Sequence, residues 1–457
     1  MPTIPFPQGL TGSTSLPRTQ TDLINCWKTP EGRIQQRPGI EEIKDIGSIA
    51  RGQFVWNDSL YQVVSTSLIK ITNVSTGAFT TIGTIAGSAA IQTAIGFVNA
   101  VIVVPGGNIY TLDKSDTLIN IISNTNFVAC DFVTHIDNRF VYVPTSGDPV
   151  FFSDVGVAGT VQTTSFFDEE FLPDKNKAAF NLNNTLYIMG SDSIGLYVNR
   201  GVSPVPFVRR SGGFIANGFI GGLLEYNQTF LFIGREKGQN SGIYAIGQGS
   251  ATKISNEAID DILANHTLQQ LAGAIPNRFK YRGYDIATFT LSSNSFGFFQ
   301  GQWFTLESIV SEENTIWGAG FITQFEGEYY TAFSSKFGKL SAINKDYGEF
   351  MTRVIQMGIS QADDEWFSAQ KISLGISQGL NSSSGSVALM MSRSNVQFSQ
   401  PISRDTGAIG EYSQKLTWNF PGGLGKYKGF MGIKFLTRSD IDFSCDYLTI
   451  DITGGIQ

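Results

Sequence analysis

The side chains of this 457-residue chain that could do chemistry are few, and histidine is the scarcest of them. There are two histidines, His135 and His266, and they are far apart in the sequence. Catalytic triads and most metal sites depend on histidine, so two isolated histidines support neither kind of site. We interpret His135 as a polar residue before a turn and His266 as part of a predicted helix.

Neighbouring carboxylates could supply the acid pair of a glycosidase. The candidate groups are Asp168/Glu169/Glu170, Asp260/Asp261 and Asp363/Asp364/Glu365. Adjacent acids on a strand point to opposite faces, so neighbours in sequence are not thereby a catalytic pair. The sialidase-type Ser-x-Asp-x-Gly-x-x-Trp box is also missing, because the nearest stretch, 292–303, lacks the Asp. We interpret the groups as solvated acidic loops and Asp260/Asp261 as helix N-terminal residues.

The three cysteines, Cys26, Cys130 and Cys445, form no CxxC pair and are odd in number. This predicts reduced thiols and neither a zinc ribbon nor a disulfide framework. A GxxxxGK[ST] phosphate loop is missing as well, and we interpret the glycines of GFIGG (218–222) as turn glycines. The sequence therefore predicts no catalytic residues, no metal site and no cofactor, and a protein that is not an enzyme.

Composition indicates a turn-rich β protein with an acidic surface. Charged residues make up 16% of the chain, with 50 Gly, 35 Phe and 15 Tyr. Aromatic residues suit a pleated, half-buried surface, and glycine supplies turns with positive φ. The net charge is −7, which disfavours phosphate binding over a broad basic face. Neither a signal peptide nor an apolar run of membrane-spanning length is evident.

A hairpin motif recurs along residues 51–344, with an Asn, Asp or Gly turn between two apolar strands. Its anchors, spaced 42, 39, 45, 44, 56 and 44 residues apart, are Asn57, Asn99, Asn138, Asn183, Asn227, Gly283 and Gly327. Further strands follow several hairpins, so that each unit holds three or four strands in about 40–45 residues, as in a propeller blade. The pattern predicts a β-propeller-like domain of six or seven blades. A long β-sandwich with regularly spaced hairpins remains the structural alternative.

The rest of the chain differs from this repeat. Residues 255–273 predict one amphipathic helix on the propeller rim, with Ser255 or Asn256 as N-cap and Gly273 as stop signal. From about residue 345, strictly alternating stretches separated by Gly/Ser-rich connections, notably 379–386 and 421–429, predict an antiparallel β-sandwich-like domain. We therefore expect an all-β chain in three parts: an N-terminal extended segment (1–50), the propeller (51–344) and a C-terminal β domain (345–457).

Four stretches in this order resemble the packaged-DNA stabilization proteins of short-tailed bacteriophages, also called tail hub or nozzle subunits. The first is 22–40, with Asn25, Pro30, Arg37, Pro38, Gly39 and Ile40 at the matching positions. The second is 137–155, an aromatic strand pair that closes on Asp154. The third, 230–263, matches at Tyr244, Ile246, Gly247, Gly249, Ala251, Ile254, Ser255 and Ile259. The fourth is 429–452, similar to the strand pair that ends the family's sequences.

This resemblance implies a structural virion protein assembled in the cytoplasm of a host bacterium. Such a subunit joins a homo-oligomeric ring, usually six-fold, below the portal. The ring closes the channel after packaging, retains the genome, forms the conduit for its ejection and offers attachment surfaces for fibres or spikes. Its implied partners are further copies of the chain, portal or adaptor tail proteins, fibre or spike proteins, and DNA that passes without specific binding.

Two other functions remain open at this point. A propeller enzyme that degrades glycans would need carboxylates converging on one propeller face within about 5–10 Å. A receptor-binding tail protein would present exposed aromatic side chains on the propeller top.

Overall fold

The computed structural model describes residues 3–12, 16–122, 126–168, 174–247, 249–310, 313–360, 365–376, 385–407, 410 and 416–454. Nearly all its regular secondary structure is β-strand, as predicted. Five strands and one 3₁₀ turn (Pro17–Thr19) precede the repeat. The strands are β1 (Thr3–Ile4), β2 (Asp22–Ile24), β3 (Cys26–Lys28), β4 (Ile34–Gln36) and β5 (Gly39–Asp45).

Consecutive antiparallel units then follow as the blades of a propeller. Blade 1 contains β6 (Ala50–Trp56), β7 (Ser59–Val64), β8 (Ser67–Asn73) and β9 (Ala78–Thr84). Blade 2 contains β10 (Gln92–Ile95), β11 (Asn99–Val103), β12 (Ile109–Asp113) and β13 (Leu118–Asn120). Blade 3 contains β14 (Cys130–Ile136), β15 (Arg139–Pro144), β16 (Val150–Phe152) and β17 (Phe166–Phe167). Blade 4 contains β18 (Asn176–Leu182), β19 (Thr185–Gly190), β20 (Ile194–Asn199) and β21 (Phe207–Ile215).

Two short helices separate the fifth blade from the sixth. Blade 5 contains β22 (Gly218–Tyr226), β23 (Thr229–Arg235), β24 (Gly242–Gly247) and β25 (Ser250–Lys253). The helices are α1 (Glu257–Ala264) and α2 (Leu268–Ala272). Blade 6 contains β26 (Ile275–Tyr281), β27 (Tyr284–Thr290), β28 (Ser295–Phe299) and β29 (Gln302–Val310), with β30 (Glu313–Ile316) beside β29. Blade 7 begins with β31 (Phe321–Phe325), β32 (Glu328–Phe333) and β33 (Lys336–Ser341). The predicted propeller is confirmed, with seven blades.

The turn between the first and second strand of most blades explains the repeated Asn, Asp and Gly anchors. Asn57 and Asp58 have φ of 47° and 52°, the positive values that a two-residue type I′ turn requires. The equivalent two-residue turns contain Asn138, Asn183, Asn227, Gly283 and Gly327. Asn99 differs, because it begins β11 after a longer turn.

Six of the seven seams between neighbouring blades bury a separate hydrophobic cluster, and the seam between blades 6 and 7 shares its cluster with the core of the C-terminal strands. Between blades 1 and 2 the cluster includes Trp56, Tyr61 and Ile102, whereas Ile69 and Phe337 belong to the cluster between blades 1 and 7. The first strand of every blade contacts the first strand of its neighbours around the ring. Apolar burial between blades therefore drives their radial stacking.

The ring is closed by β5, from the N-terminal segment. β5 pairs antiparallel with β33, placing Ile40 opposite Leu340 and Gly39 opposite Ser341. It thus supplies the fourth strand of the last blade. A Cβ at Gly39 would lie 2.3 Å from the Lys345 carbonyl oxygen and 2.6 Å from that of Ile343, so this approach requires a glycine.

The C-terminal strands form a β-sandwich together with the N-terminal strands. These strands are β34 (Lys345–Asp346), β35 (Glu349–Phe350), β36 (Arg353–Ser360), β37 (Trp366–Ile376), β38 (Ser386–Ser392), β39 (Ile402–Asp405), β40 (Leu416–Lys428), β41 (Phe430–Thr437) and β42 (Cys445–Gly454). One sheet has the order β3-β4-β42-β37-β40, with β1 on β42, and the other runs β2-β36-β41-β38-β39. Trp418 of the first sheet and Phe435 of the second pack with ring centroids 5.6 Å apart. β34 and β35 instead join the sheet of blade 7 through β5.

One sheet belongs to both the propeller and the sandwich. β2 lies parallel to β29 of blade 6, with Ile24 beside Thr305, and antiparallel to β36 of the sandwich. The result is a continuous ten-stranded sheet. The division at residues 50 and 344 stays a prediction, but strand pairing crosses both boundaries. Pairing between residues so distant in sequence leaves no local signal.

Local departures from the predicted elements have physical reasons. The helix predicted over 255–273 is broken, because Thr267 caps α2 in a capping box with Gln270. Asn256 is the N-cap of α1. The stretch 421–429, predicted to be a connection, is largely part of β40. In the part of the chain that the structure describes, neither helix could span a membrane.

The Gly39 contacts yield a test of ring closure. Gly39→Ala should lower the free energy of unfolding by about 1–3 kcal/mol, because backbone must shift where β5 meets residues 343–345, directly after β33. Gly107→Ala is the matched control, since a Cβ there would meet only ordinary contacts from 3.4 Å. Guanidinium-induced unfolding of the two variants measures the difference, and equal stabilities would contradict this account of closure.

Candidate functional site

The two histidines lie in different parts of the propeller. His135, on β14, packs against Phe140 with ring centroids 4.9 Å apart, and burial lowers its pKa. His266 lies between α1 and α2, with Nδ1 2.8 Å from the Ile262 carbonyl oxygen and Nε2 2.9 Å from Ser293 Oγ. Local contacts thus place both rings, and the histidines share no site.

The carboxylate groups divide between a helix and exposed positions. Asp260 lies in the first turn of α1, as predicted, and accepts hydrogen bonds from Lys253 Nζ at 2.7 Å and Ser255 Oγ at 2.6 Å. Asp168 and Glu365 are exposed. Their sequence neighbours Glu169, Glu170, Asp363 and Asp364 lie outside the described residues. Over the described ranges, no group of three or more His, Cys, Asp or Glu is arranged to hold a metal ion.

The cysteines are free thiols in the interior. Cys26, Cys130 and Cys445 are all buried. Burial raises the pKa of Cys130 to about 12, and the same cause raises the pKa of the other two. Since the thiolate is the reactive form, these cysteines are unreactive at neutral pH.

Arg37 and Asp346 form a buried and highly connected polar pair. Their side chains are 0% and 2% exposed. Arg37 Nη1 donates to Asp346 Oδ1 at 2.9 Å and Nη2 to Oδ2 at 2.5 Å. The carboxylate also accepts from Ile40 N at 3.1 Å and from Ser308 Oγ at 2.6 Å. We call this pair and its hydrogen-bond partners the closure network, because Ile40 lies on the closing strand β5.

All N–H groups of the Arg37 guanidinium are used. The remaining donations go to Asn25 Oδ1 at 2.8 Å, the Pro38 carbonyl at 2.8 Å and the Glu307 carbonyl at 2.8 Å. Asn25 in turn donates to the Glu307 carbonyl at 2.9 Å and the Thr352 carbonyl at 2.7 Å. The closure network therefore ties the N-terminal segment to blades 6 and 7 and to the start of the sandwich.

A second buried arginine and two carboxyl groups with raised pKa values lie beside the closure network. Arg353 donates to the carbonyls of Ile441 at 3.1 Å and Ser439 at 2.5 Å. Burial, followed by the charge of Arg37, lowers its pKa to about 10. Burial raises the pKa of Asp22 to about 7, although Thr305 Oγ1 donates to it at 2.9 Å. Burial also raises the pKa of Glu307. A region that disfavours charge so strongly has little access to water.

The motif around residues 22–40 marked part of this network in advance. Asn25, Arg37 and Ile40 hold it together, and Gly39 gives β5 its approach. The sequence did not identify Asp346, which lies 309 residues after Arg37. Its only local signal is an acid in the two-residue strand β34, so its partner could be found only from the fold.

A cavity of about 570 Å³ lies among the inner strands of blades 2 to 6. Its wall includes Phe132 of β14, Lys177 of β18, Leu223 of β22 and Ala272 of α2. A cavity of this volume suits a small molecule and not a DNA duplex. The helical segment predicted for the rim thus reaches the inner strands through α2.

The glycines of GFIGG are strand residues, which corrects their interpretation as turn glycines. They lie in β22, whose pairing with β23 is irregular around Gly221. A Cβ at Gly221 would lie 2.6 Å from the Leu271 carbonyl oxygen. Gly221 therefore lets α2 pack directly on the inner strand.

Comparison with protein families gives one match across the propeller. The model of the Phage_stabilise family, described as bacteriophage P22 Gp10, beta-propeller, matches residues 10–341. The matched residues include Arg37, β5 and all seven blades. The comparison with curated proteins gave no match.

The solved structures with a similar fold have low sequence identity to this chain. The extracellular domain of a putative hybrid two-component system from B. thetaiotaomicron is 10% identical, with a TM-score of 0.46 over 83% of this chain and 62% of that chain. The N-terminal domain of Nup159 is 9% identical, with a TM-score of 0.42 over 70% and 98%. BamB from Moraxella catarrhalis is 12% identical, with a TM-score of 0.37 over 74% and 98%. None of these likenesses carries an argument about function.

The closure network can be tested by breaking its ion pair. Arg37→Met should lower the free energy of unfolding by about 3–5 kcal/mol, because it leaves Asp346 as an uncompensated buried charge. Asp346→Asn should be similarly harmful, and the double variant should cost less than the sum of the two. A double-mutant cycle measured by chemical unfolding gives the coupling, and additive effects would contradict the network.

Proposed function

Since this chain belongs to the Phage_stabilise family of bacteriophage P22 Gp10-type β-propellers, and is thus a phage tail protein of the virion, we propose that it is a subunit of the tail hub or nozzle. In this role it closes the channel below the portal after packaging, retains the genome and forms the conduit for ejection. The family match across residues 10–341 is the observation that carries the proposal.

The proposed assembly is a six-fold ring built in the host bacterial cytoplasm. Its partners are portal or adaptor proteins, fibre or spike proteins, and the DNA that passes through it; insertion into a membrane is not part of this role. A ring of identical subunits uses a heterologous interface, in which two different patches of each copy meet. The conduit lies between copies, because the cavity inside one propeller is only about 570 Å³.

The proposed role is structural and not enzymatic. A plug that retains DNA must resist deformation, and two features of the fold support such stiffness. The ten-stranded sheet runs from blade 6 into the sandwich, and the closure network fixes β5 at the last blade. Both histidines and Asp260 instead make local structural contacts.

A packaging experiment tests the proposal. Particles made without this protein should fill with DNA but lose it, so that nuclease digests the genome after packaging. Adding the purified wild-type chain should restore nuclease resistance. Particles that keep a protected genome without it, or a cryo-EM map that places it away from the tail axis, would refute this role.

The acidic charge yields a prediction about DNA. Of the net −7, residues 345–457 contribute −1 (10 Lys and Arg against 11 Asp and Glu), which leaves −6 for the preceding residues. Each Lys or Arg contact with a phosphate adds adhesion, which would slow ejection. The isolated chain should bind duplex DNA no tighter than about 10⁻⁴ M at physiological salt. A mobility shift at sub-micromolar protein that persists in physiological salt would contradict this account.

A further inference from the structure

Blade 4 carries an exposed hairpin at its outer edge, formed by β20, β21 and their connection. Residues 200–204 and 208–212 are all exposed. They include Arg200, Arg209 and Arg210, together with Val202 at 51% and Val208 at 43% exposure. No Asp or Glu occurs between residues 193 and 224. We call residues 199–213 the basic hairpin.

The basic hairpin belongs to a region whose charge is opposite to that of the rest of the chain. Residues 174–253 contain 8 Lys and Arg against 4 Asp and Glu, a net charge of +4. The whole chain has 32 Lys and Arg against 39 Asp and Glu, so the remaining residues have 24 against 35, a net charge of −11. One side of the propeller is therefore electrostatically complementary to other surfaces of the same protein.

The edge of β21 differs from the other outer edges. Blades 6 and 7 have their outer strands covered by β2 and β34, respectively. The outer strands β13, β17 and β25 contain three, two and four residues, short lengths that blunt an edge against pairing. β21 contains nine residues, of which five in succession are exposed. The outer strand of blade 1, β9, contains seven residues without a charged side chain.

We propose that the basic hairpin is one half of the contact between neighbouring copies of this chain, and that it binds an acidic surface of the next copy. This inference rests on the proposed ring. Identical subunits with a charge of −7 repel one another, and a contact that pairs a basic patch with an acidic one offsets this repulsion. Arginine suits this role because its guanidinium binds carboxylates in bidentate fashion.

The composition of the basic hairpin favours a protein partner over DNA. Val202 and Val208 flank the arginines and are exposed. Arginine beside apolar side chains is typical of protein interfaces, whereas phosphate contacts need only charge and hydrogen-bond donors. The uncovered edge of β21 can in addition pair with a strand from another chain.

The test reverses the charge of the basic hairpin in the full chain. The triple variant Arg200→Glu, Arg209→Glu, Arg210→Glu is compared with Lys114→Glu, Lys280→Glu, Lys426→Glu. The control makes the same change in net charge at exposed lysines outside residues 174–253. Thermal unfolding verifies that both variants fold. A second variant, Val202→Asp, Val208→Asp, removes the apolar part while keeping the arginines.

Sedimentation over a range of concentrations gives the midpoint of ring assembly for each protein, alone or with portal-bearing particles. The triple variant should raise this midpoint at least about tenfold, the valine variant should also raise it, and the control should leave it near that of the wild type. Raising salt from about 0.05 to about 0.5 M should weaken wild-type assembly more than that of the triple variant.

A triple variant that assembles at the wild-type midpoint would overturn the inference while leaving the proposed ring intact. The same holds if it assembles normally but loses DNA binding or attachment of another tail protein, because the basic hairpin then serves that partner. A wild-type chain that never forms a ring, even on portal-bearing particles, would instead refute the proposed ring and this contact with it.

Discussion

The architecture depends on a charged pair that water does not reach. Taking Arg37 and Asp346 out of water is costly, and their attraction repays that cost only if the remaining donors and acceptors are satisfied. Here they are, because Asn25, Ser308 and backbone groups complete the set. The same geometry brings the N-terminal segment, two blades and the sandwich to one point. A hydrophobic pair could fill this volume, but it would not define how these four parts meet.

The hairpin turns and the start of the helical segment could be predicted from the sequence. The anchors Asn57 and Asn138 lie in turns whose positive φ needs such residues, so the repeat and its hairpins were predictable. The α1 N-terminus at Asn256 was predictable from a different local feature, the N-cap, because the Asn256 side chain accepts from Ile259 N at 3.0 Å. The Thr267 cap that divides the helix is an equally local signal, and it was missed because the apolar stripe continues to Leu271.

Pairing between strands that are far apart in the sequence could not be predicted from local features. The short segment 39–45 carries no signal that selects one sheet edge, and its partner β33 lies about three hundred residues later. The resemblance around Arg37 pointed to an important position but not to its partner Asp346. Of the closure network, only the N-terminal part around Arg37 was therefore predictable from the sequence. For the same reason, no local feature revealed that blade 6 and the sandwich share one sheet.

The position of the closing strand has a consequence for the order of events during synthesis. The β5 segment leaves the ribosome first among the strands of its sheet, yet β33 is made only after six blades of chain. β1 must wait longer still, because its partner is β42. At about 5–20 residues per second, these early strands remain without partners for tens of seconds. Nascent chains on crowded polysomes would thus expose unpaired edges to one another, which favours premature pairing between chains.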